Sequence, residues 1–204
     1  LDNLIRFGGL FPPIHVHADV RRTKLLGATH AAREGGCMMV RARDDIYRMA
    51  DLKGKKIGLT KSLNAIKNDW WRIQEHMQIE LMLRIHGMGM DDVEIVEFPY
   101  PDDWYDDEEM LRPIDNPSEW QLKRDHKHDL AFRPLEAALL DGSVDAIYSQ
   151  SKVFQHLQEA TGKLKAIEDL SRHPDWTLQV ANIPAVITCT DVMAREHPEL
   201  VVAF

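Results

Sequence analysis

The chain has 204 residues, 44% hydrophobic and 28% charged, with a net charge of −8 at neutral pH. That balance fits a globular protein with a sizeable core and argues against a sequence-independent grip on nucleic acid. No run of about 18 apolar residues predicts a membrane span, and Cys37 and Cys189 lack the C-x-x-C spacing of a zinc site or redox pair.

The first residue is Leu, no signal-peptide pattern follows, and the last residues, ELVVAF, form an apolar run without a helix cap. The expectation is an internal piece of a longer protein. Near the start stands RFGGLFPP, Arg6 to Pro13. Its two prolines suit the first turn of a helix running to about Arg22, where a missing N–H leaves no partner unsatisfied. TKLLGAT (Thr23 to Thr29) and GCMMVRA (Gly36 to Ala42) predict strands. DDIYRMADL predicts a short helix, and KKIGLT (Lys55 to Thr60) a buried strand. The longest predicted helix runs from Ser62 to His86. Ile66, Trp70, Ile73, Met77, Leu81 and Ile85 define its apolar face, and Gly87 and Gly89 end it.

VEIVEF (Val93 to Phe98) alternates apolar and acidic residues, as a half-buried strand does. Residues 99–128 carry no clear period, and their length marks a functional flap or a mobile insertion. A helix from Pro134 to Leu140, the strand VDAIYS, the helix KVFQHLQEATG and the strand KLKAIEDL follow. LQVANIPAVITCT reads as one long extended segment. Thr190 or Asp191 then caps a last helix, interrupted near His197-Pro198. Strands alternating with helices give an α/β class with largely parallel sheets.

In such sheets ligands bind beyond the carboxyl ends of strands. LTKSLN places Thr60 and Ser62 at one such end, and YSQSK places Ser149, Gln150 and Ser151 at another. Small hydroxyls and free backbone N–H groups there suit a carboxylate, sulfonate or sulfinate; equally, Ser62 and Ser151 serve as plain helix caps. RFGG is a third corner. Gly8 and Gly9 let backbone N–H groups approach a ligand, and Arg6 adds a permanent cation able to hold an oxyanion by two hydrogen bonds. The plainer alternative is a Gly-Gly turn beside a surface arginine. His15 and His17 fall on different helix faces, and His126 and His128 sit in a charged loop, so neither pair predicts a metal site. No Walker loop, G-x-G-x-x-G or G-x-S-x-G motif is present.

RFGGLFPP, RRTKLLGAT, the pair DLKGKKIGL and DDVEIVEF, and DGSVDAIYS together resemble the type 2 periplasmic-binding-protein superfamily. Its members include sulfonate-, taurine- and nitrate-binding transporter subunits and the hydroxybiphenyl sulfinate desulfinases. The desulfinases carry R-F-G-G-x-x-P-P, T-R-L-L-G, D-D-V-E and G-x-V-D-A-[LI]-Y-S segments in the same order. The resemblance spans most of residues 4–100 and 135–200. It implies two α/β lobes joined by a hinge: 1–52 as an incomplete first lobe, 53–176 as the second, and 177–204 returning to the first.

It implies carbon–sulfur hydrolysis of an organic sulfinate held in the inter-lobe cleft, with sulfite released and no cofactor. Arg6 and Gly9 match the desulfinase catalytic positions. Gly8, Thr60, Ser62, Ser149, Gln150 and Ser151 are the accompanying ligand-binding candidates. The catalytic cysteine and histidine of that family would precede Leu1; neither Cys37 nor Cys189 falls at the matching place. The alternative implied is the substrate-binding subunit of an ABC transporter for sulfonates, with a permease partner. The location is cytoplasmic for the enzyme and periplasmic for the binding protein. Gln150 and Ser151 replace apolar residues of the desulfinases, and the acidic 100–128 region has no close match.

Overall fold

The computed structural model describes residues 5–9, 11–28, 36–62, 69–100, 134–149, 159, 162–181 and 185–204. In chain order the strands are β1 (Ile5–Gly9), β2 (Thr23–Ala28), β3 (Cys37–Arg41), β4 (Lys56–Ser62), β5 (Glu94–Tyr100), β6 (Ala146–Ser149), β7 (Leu164–Asp169) and β8 (Ala185–Thr190). The α-helices are α1 (Phe11–Asp19), α2 (Trp70–Ile85), α3 (Pro134–Asp141), α4 (Trp176–Ala181), α5 (Asp191–Glu196) and α6 (Pro198–Ala203). The α/β class holds, but the sheets are not largely parallel: β4 pairs parallel with β5 and β6, whereas β3 pairs antiparallel with β6 and β7, and β8 antiparallel with β1 and β2.

The chain divides into two compact units, Leu1–Gly35 with Leu170–Phe204, and Gly36–Asp169. The change of unit comes at Gly36 and Leu170 rather than near 52 and 176. The reason is β3, which pairs antiparallel with both β6 and β7 and so belongs to the second unit's sheet.

The second unit is a five-stranded sheet in the order β5-β4-β6-β3-β7, with β4 parallel to β5 and β6. Every residue of β3 is buried. Leu135, Ala138 and Leu139 of α3 pack with Cys37, Met39, Val144, Ile147 and Leu164 as one apolar cluster. Gly58 makes that packing close: a Cβ there would stand 3.0 Å from Leu135 Cδ2 and 3.3 Å from Ile147 Cγ2. Arg41 fastens β3 to the turn between α3 and β6. Its Nη1 donates to the carbonyls of Leu139, at 3.0 Å, and Val144. Its Nη2 pairs with Asp44 Oδ2 at 2.7 Å and Asp145 Oδ1 at 3.3 Å.

The longest helix begins at Trp70, not Ser62. Ser62 instead ends β4, and the N-cap is Asp69, whose Oδ1 accepts from Arg72 N at 3.0 Å. The buried face is also turned from the expected one. Ile73 and Met77 are exposed, whereas Glu75, Gln78, Ile79, Met82 and Leu83 are buried. The predicted end holds: Gly87 takes a left-handed φ of 71°, and Met88 N bonds back to Leu83 O at 2.9 Å. The 44–52 segment forms only a 3-10 turn over Met49–Leu52.

The first unit is a three-stranded antiparallel sheet in the order β1-β8-β2. RFGG is therefore strand, not turn: Gly8 lies opposite Val186 and Gly9 opposite Ala185. The segment 178–190 is not wholly extended. Its first part is α4, initiated by Asp175, whose Oδ1 accepts from Thr177 N at 2.9 Å and Thr177 Oγ1 at 2.7 Å. Thr190 caps α5 as expected, its Oγ1 accepting from Met193 N at 3.2 Å. Of the predicted helix 152–162 only Glu159 and Gly162 are described, and the 99–128 segment lies outside the described residues from 101 on.

Candidate functional site

Two places gather the residues singled out in the sequence, one in each unit. In the first unit Arg6 sits in β1 opposite Thr188. Its side chain borders a recess of about 90 Å³ that is also lined by Pro13, Val16, Arg21, Thr23 and Thr188. Pro13 is buried and comes from α1, so the double proline does set the helix that covers this strand. The Nη1 of Arg6 is shut from solvent and meets no hydrogen-bond acceptor among the described residues. A buried guanidinium N–H without an acceptor forfeits its hydration and gains nothing in return.

Cys189 borders the same recess and is buried. Burial first, and then the negative charge of Asp191, push its thiol pKa up against the opposing pull of Lys24. A thiol held in its neutral form is a poor nucleophile. Cys37 is likewise buried.

In the second unit the carboxyl ends of two parallel strands carry Thr60 and Ser149. β4 pairs with β6 at Ile57 to Ala146 and Gly58 to Ile147, and Thr60 and Ser149 stand further along the same two strands. Both are buried, and both donate to a carboxyl of their own chain. Thr60 N and Thr60 Oγ1 donate to Glu75 Oε2 at 2.9 and 2.7 Å. Ser149 Oγ donates to Glu136 Oε1 at 3.2 Å. Glu75 comes from α2 and Glu136 from α3.

The donors expected to face a ligand oxyanion at this corner are thus engaged by carboxyl groups. Burial raises the pKa of Glu75 to about 8, with Glu136 and Asp69 adding repulsion, despite the two bonds from Thr60. Burial thus favours the protonated form of Glu75. The nearby cations serve Glu97: Lys61 Nζ lies 3.0 Å from its Oε2, and Arg72 Nη2 pairs with its Oε1.

Gly8 and Gly9 share β1 with Arg6, whereas Ser62 closes β4 two residues beyond Thr60. Gln150 and Ser151 lie outside the described residues. Sequence reasoning missed Glu75 and Glu136. The one available signal was their position: Glu75 shares a helical face with Gln78, Ile79 and Met82, and Glu136 sits in the first turn of α3. Among the described residues no group of three or more His, Cys, Asp or Glu side chains is placed to hold a metal ion. Likewise, none of the helices described is long and apolar enough to cross a membrane.

Comparison with known proteins joins these observations to a fold. Residues 27–105 match the family described as NMT1/THI5 like. The desulfurization enzyme DSZB superposes with a TM-score of 0.62 at 27% identity, over 98% of this chain and 59% of its own. A DSZB mutant in complex with biphenyl-2-sulfinic acid gives 0.61 at 25%, again over 98% and 59%. The periplasmic aliphatic sulphonate binding protein SsuA from Escherichia coli gives 0.59 at 15%, over 98% and 51%. No curated protein matches. The chain spans about half the length of the solved structures it matches. Two α/β units, a mixed five-stranded sheet and these superpositions give the chain the type 2 periplasmic-binding-protein-like fold, shared by sulfonate-binding proteins and the desulfurization enzyme DSZB.

Proposed function

We propose that this chain is part of a desulfinase-like hydrolase that cleaves the carbon–sulfur bond of an organic sulfinate and releases sulfite. The observation that carries the reading is Arg6, with a permanent positive charge, a buried Nη1 lacking an acceptor, and a place in β1 beside Gly8 and Gly9. A sulfinate oxygen supplies the missing acceptor. Arg6 and a Gly9 N–H would then stabilise the negative charge that stays on the departing sulfur group. Overall, water adds its hydroxyl to sulfur and a proton to carbon, so no redox partner is needed.

The recess of about 90 Å³ has room for an oxyanion head. Higher identity to DSZB, 27% against 15% for SsuA, also supports the enzyme. Cys37 and Cys189 are buried, and the thiol of Cys189 is held neutral. On this reading the nucleophile comes from elsewhere in the full-length protein.

The test is sulfite release from an aryl sulfinate by the full-length protein. Arg6→Ala is expected to lower it about 10²- to 10³-fold, the usual loss for one oxyanion donor. Unchanged release by the variant would falsify the assignment.

The second reading is a sulfonate-binding transporter subunit with a permease partner. It rests on the superposition with the sulphonate binding protein SsuA, a periplasmic protein. Tight sulfonate binding without turnover, together with export from the cytoplasm, would select it over the enzyme.

A further inference from the structure

The recess beside Arg6 holds a second polar group to which neither reading gives a role. Thr188 stands directly opposite Arg6 in the β1–β8 ladder, so the two side chains leave the sheet on the same face. Both line the recess, together with Pro13 and Val16 of α1. β8 is the central strand of its sheet, and Thr188 is 5% exposed.

A threonine in such a place needs a partner for its hydroxyl. Valine has nearly the same shape and packs a buried strand without one; Val186, two residues earlier on the same face, does so. A buried hydroxyl left without a hydrogen bond costs free energy that valine does not. The other two threonines around the recess have polar neighbours. Thr190 Oγ1 accepts from Met193 N at 3.2 Å, and Thr23 Oγ1 lies 3.3 Å from His17 Nδ1. Among the described residues no hydrogen bond takes up the hydroxyl of Thr188. The Nη1 of Arg6, across the ladder, lacks an acceptor as well. The two groups are not bonded to each other, so both await a third group that accepts from each. Arg21 adds a second positive charge to the lining, and no described carboxylate borders it, which suits an anion.

We propose that Thr188 is a second ligand contact in this recess, its hydroxyl donating to the same sulfur oxyanion that Arg6 holds. The contact depends on Arg6 gripping an oxyanion, and it adds direction to that grip. Arg6 supplies charge, whereas a hydroxyl proton on one oxygen fixes how the sulfur group is turned. The contact serves a sulfinate and a sulfonate alike, so it holds whether the chain is part of an enzyme or of a binding protein.

The test is a titration of the full-length protein with methanesulfonate, a sulfur oxyanion that sulfinate hydrolysis does not consume, followed by NMR chemical shifts. Arg6→Ala, Thr188→Val and Thr188→Ser are measured beside wild type. Thr188→Val keeps the shape and the strand preference, so it should resist urea at least as well as wild type. Its affinity should nonetheless fall about tenfold or more, as expected for losing a hydrogen bond to a charged group. Thr188→Ser keeps the hydroxyl and should retain most of the affinity. Unchanged affinity in Thr188→Val, or an equal loss in Thr188→Ser, overturns the contact and leaves Arg6 standing. A Thr188→Val protein that is less stable than wild type would mean that the hydroxyl serves the fold, and overturns it too. Unchanged affinity in Arg6→Ala, or no binding by wild type, overturns the grip of Arg6 and this contact with it.

Discussion

The two units meet the same problem, covering a sheet, with different success. In the second, β3 is buried along its whole length between β6 and β7, and α2 and α3 supply Ile79, Met82, Leu83 and Leu139 to the core. In the first, β2 is an edge strand whose Leu25 is 65% exposed, and Ile14 and Val20 beside it are exposed too. A sheet of five strands with two covering helices closes its own core. A sheet of three strands leaves apolar area that contributes nothing to stability, at about 25 cal/mol per Å² left in water. Core size and candidate chemistry are thus distributed unequally: Arg6 belongs to the unit with the smaller core.

The sharpest way to break this contrast is to cut equal volumes from each unit. Leu139→Ala empties part of a closed cluster and should cost about 3 kcal/mol or more in urea unfolding. Next, Arg41→Ala should cost about 3 kcal/mol by the same measurement, because it strands the carbonyls of Leu139 and Val144 and the carboxylates of Asp44 and Asp145. Gly58→Ala pushes a methyl against Leu135 and Ile147 and should cost about 1–2 kcal/mol. In the first unit, Thr190→Ala removes the cap of α5 and should cost about 1 kcal/mol, read as faster exchange at Met193 N. Smallest of all, Leu25→Ala should stay within about 0.5 kcal/mol of wild type. A Leu25 effect equal to that of Leu139 would mean that the first unit is as well closed as the second.

The strands were the legible part of the fold. CMMVR, KIGLT and AIYS are short apolar runs, and each is a strand in the second unit's sheet. The cap at Thr190, the stop at Gly87 and the prolines of α1 were readable for the same reason: each depends on one or two residues obeying local rules. Local rules also misled. The Gly-Gly turn that stood as the plainer alternative at RFGG does not form, because β8 draws Gly8 and Gly9 into a ladder. The period of Ile73 and Met77 marked a helical face that the tertiary structure turns outward.

Of the candidate site, the sequence determined the ingredients: an arginine followed by two glycines, and hydroxyls at two strand ends. Those are chemical identities, which need no partner to be read. Only the tertiary structure decided their surroundings. It left Arg6 Nη1 buried without an acceptor, and it set Thr60 and Ser149 against Glu75 and Glu136, residues 15 and 13 positions away. The physical reason is that burial and pairing depend on what distant segments bring. A glutamate on a helix is ordinarily solvated, and its pKa rises as that of Glu75 does only when the fold removes its water.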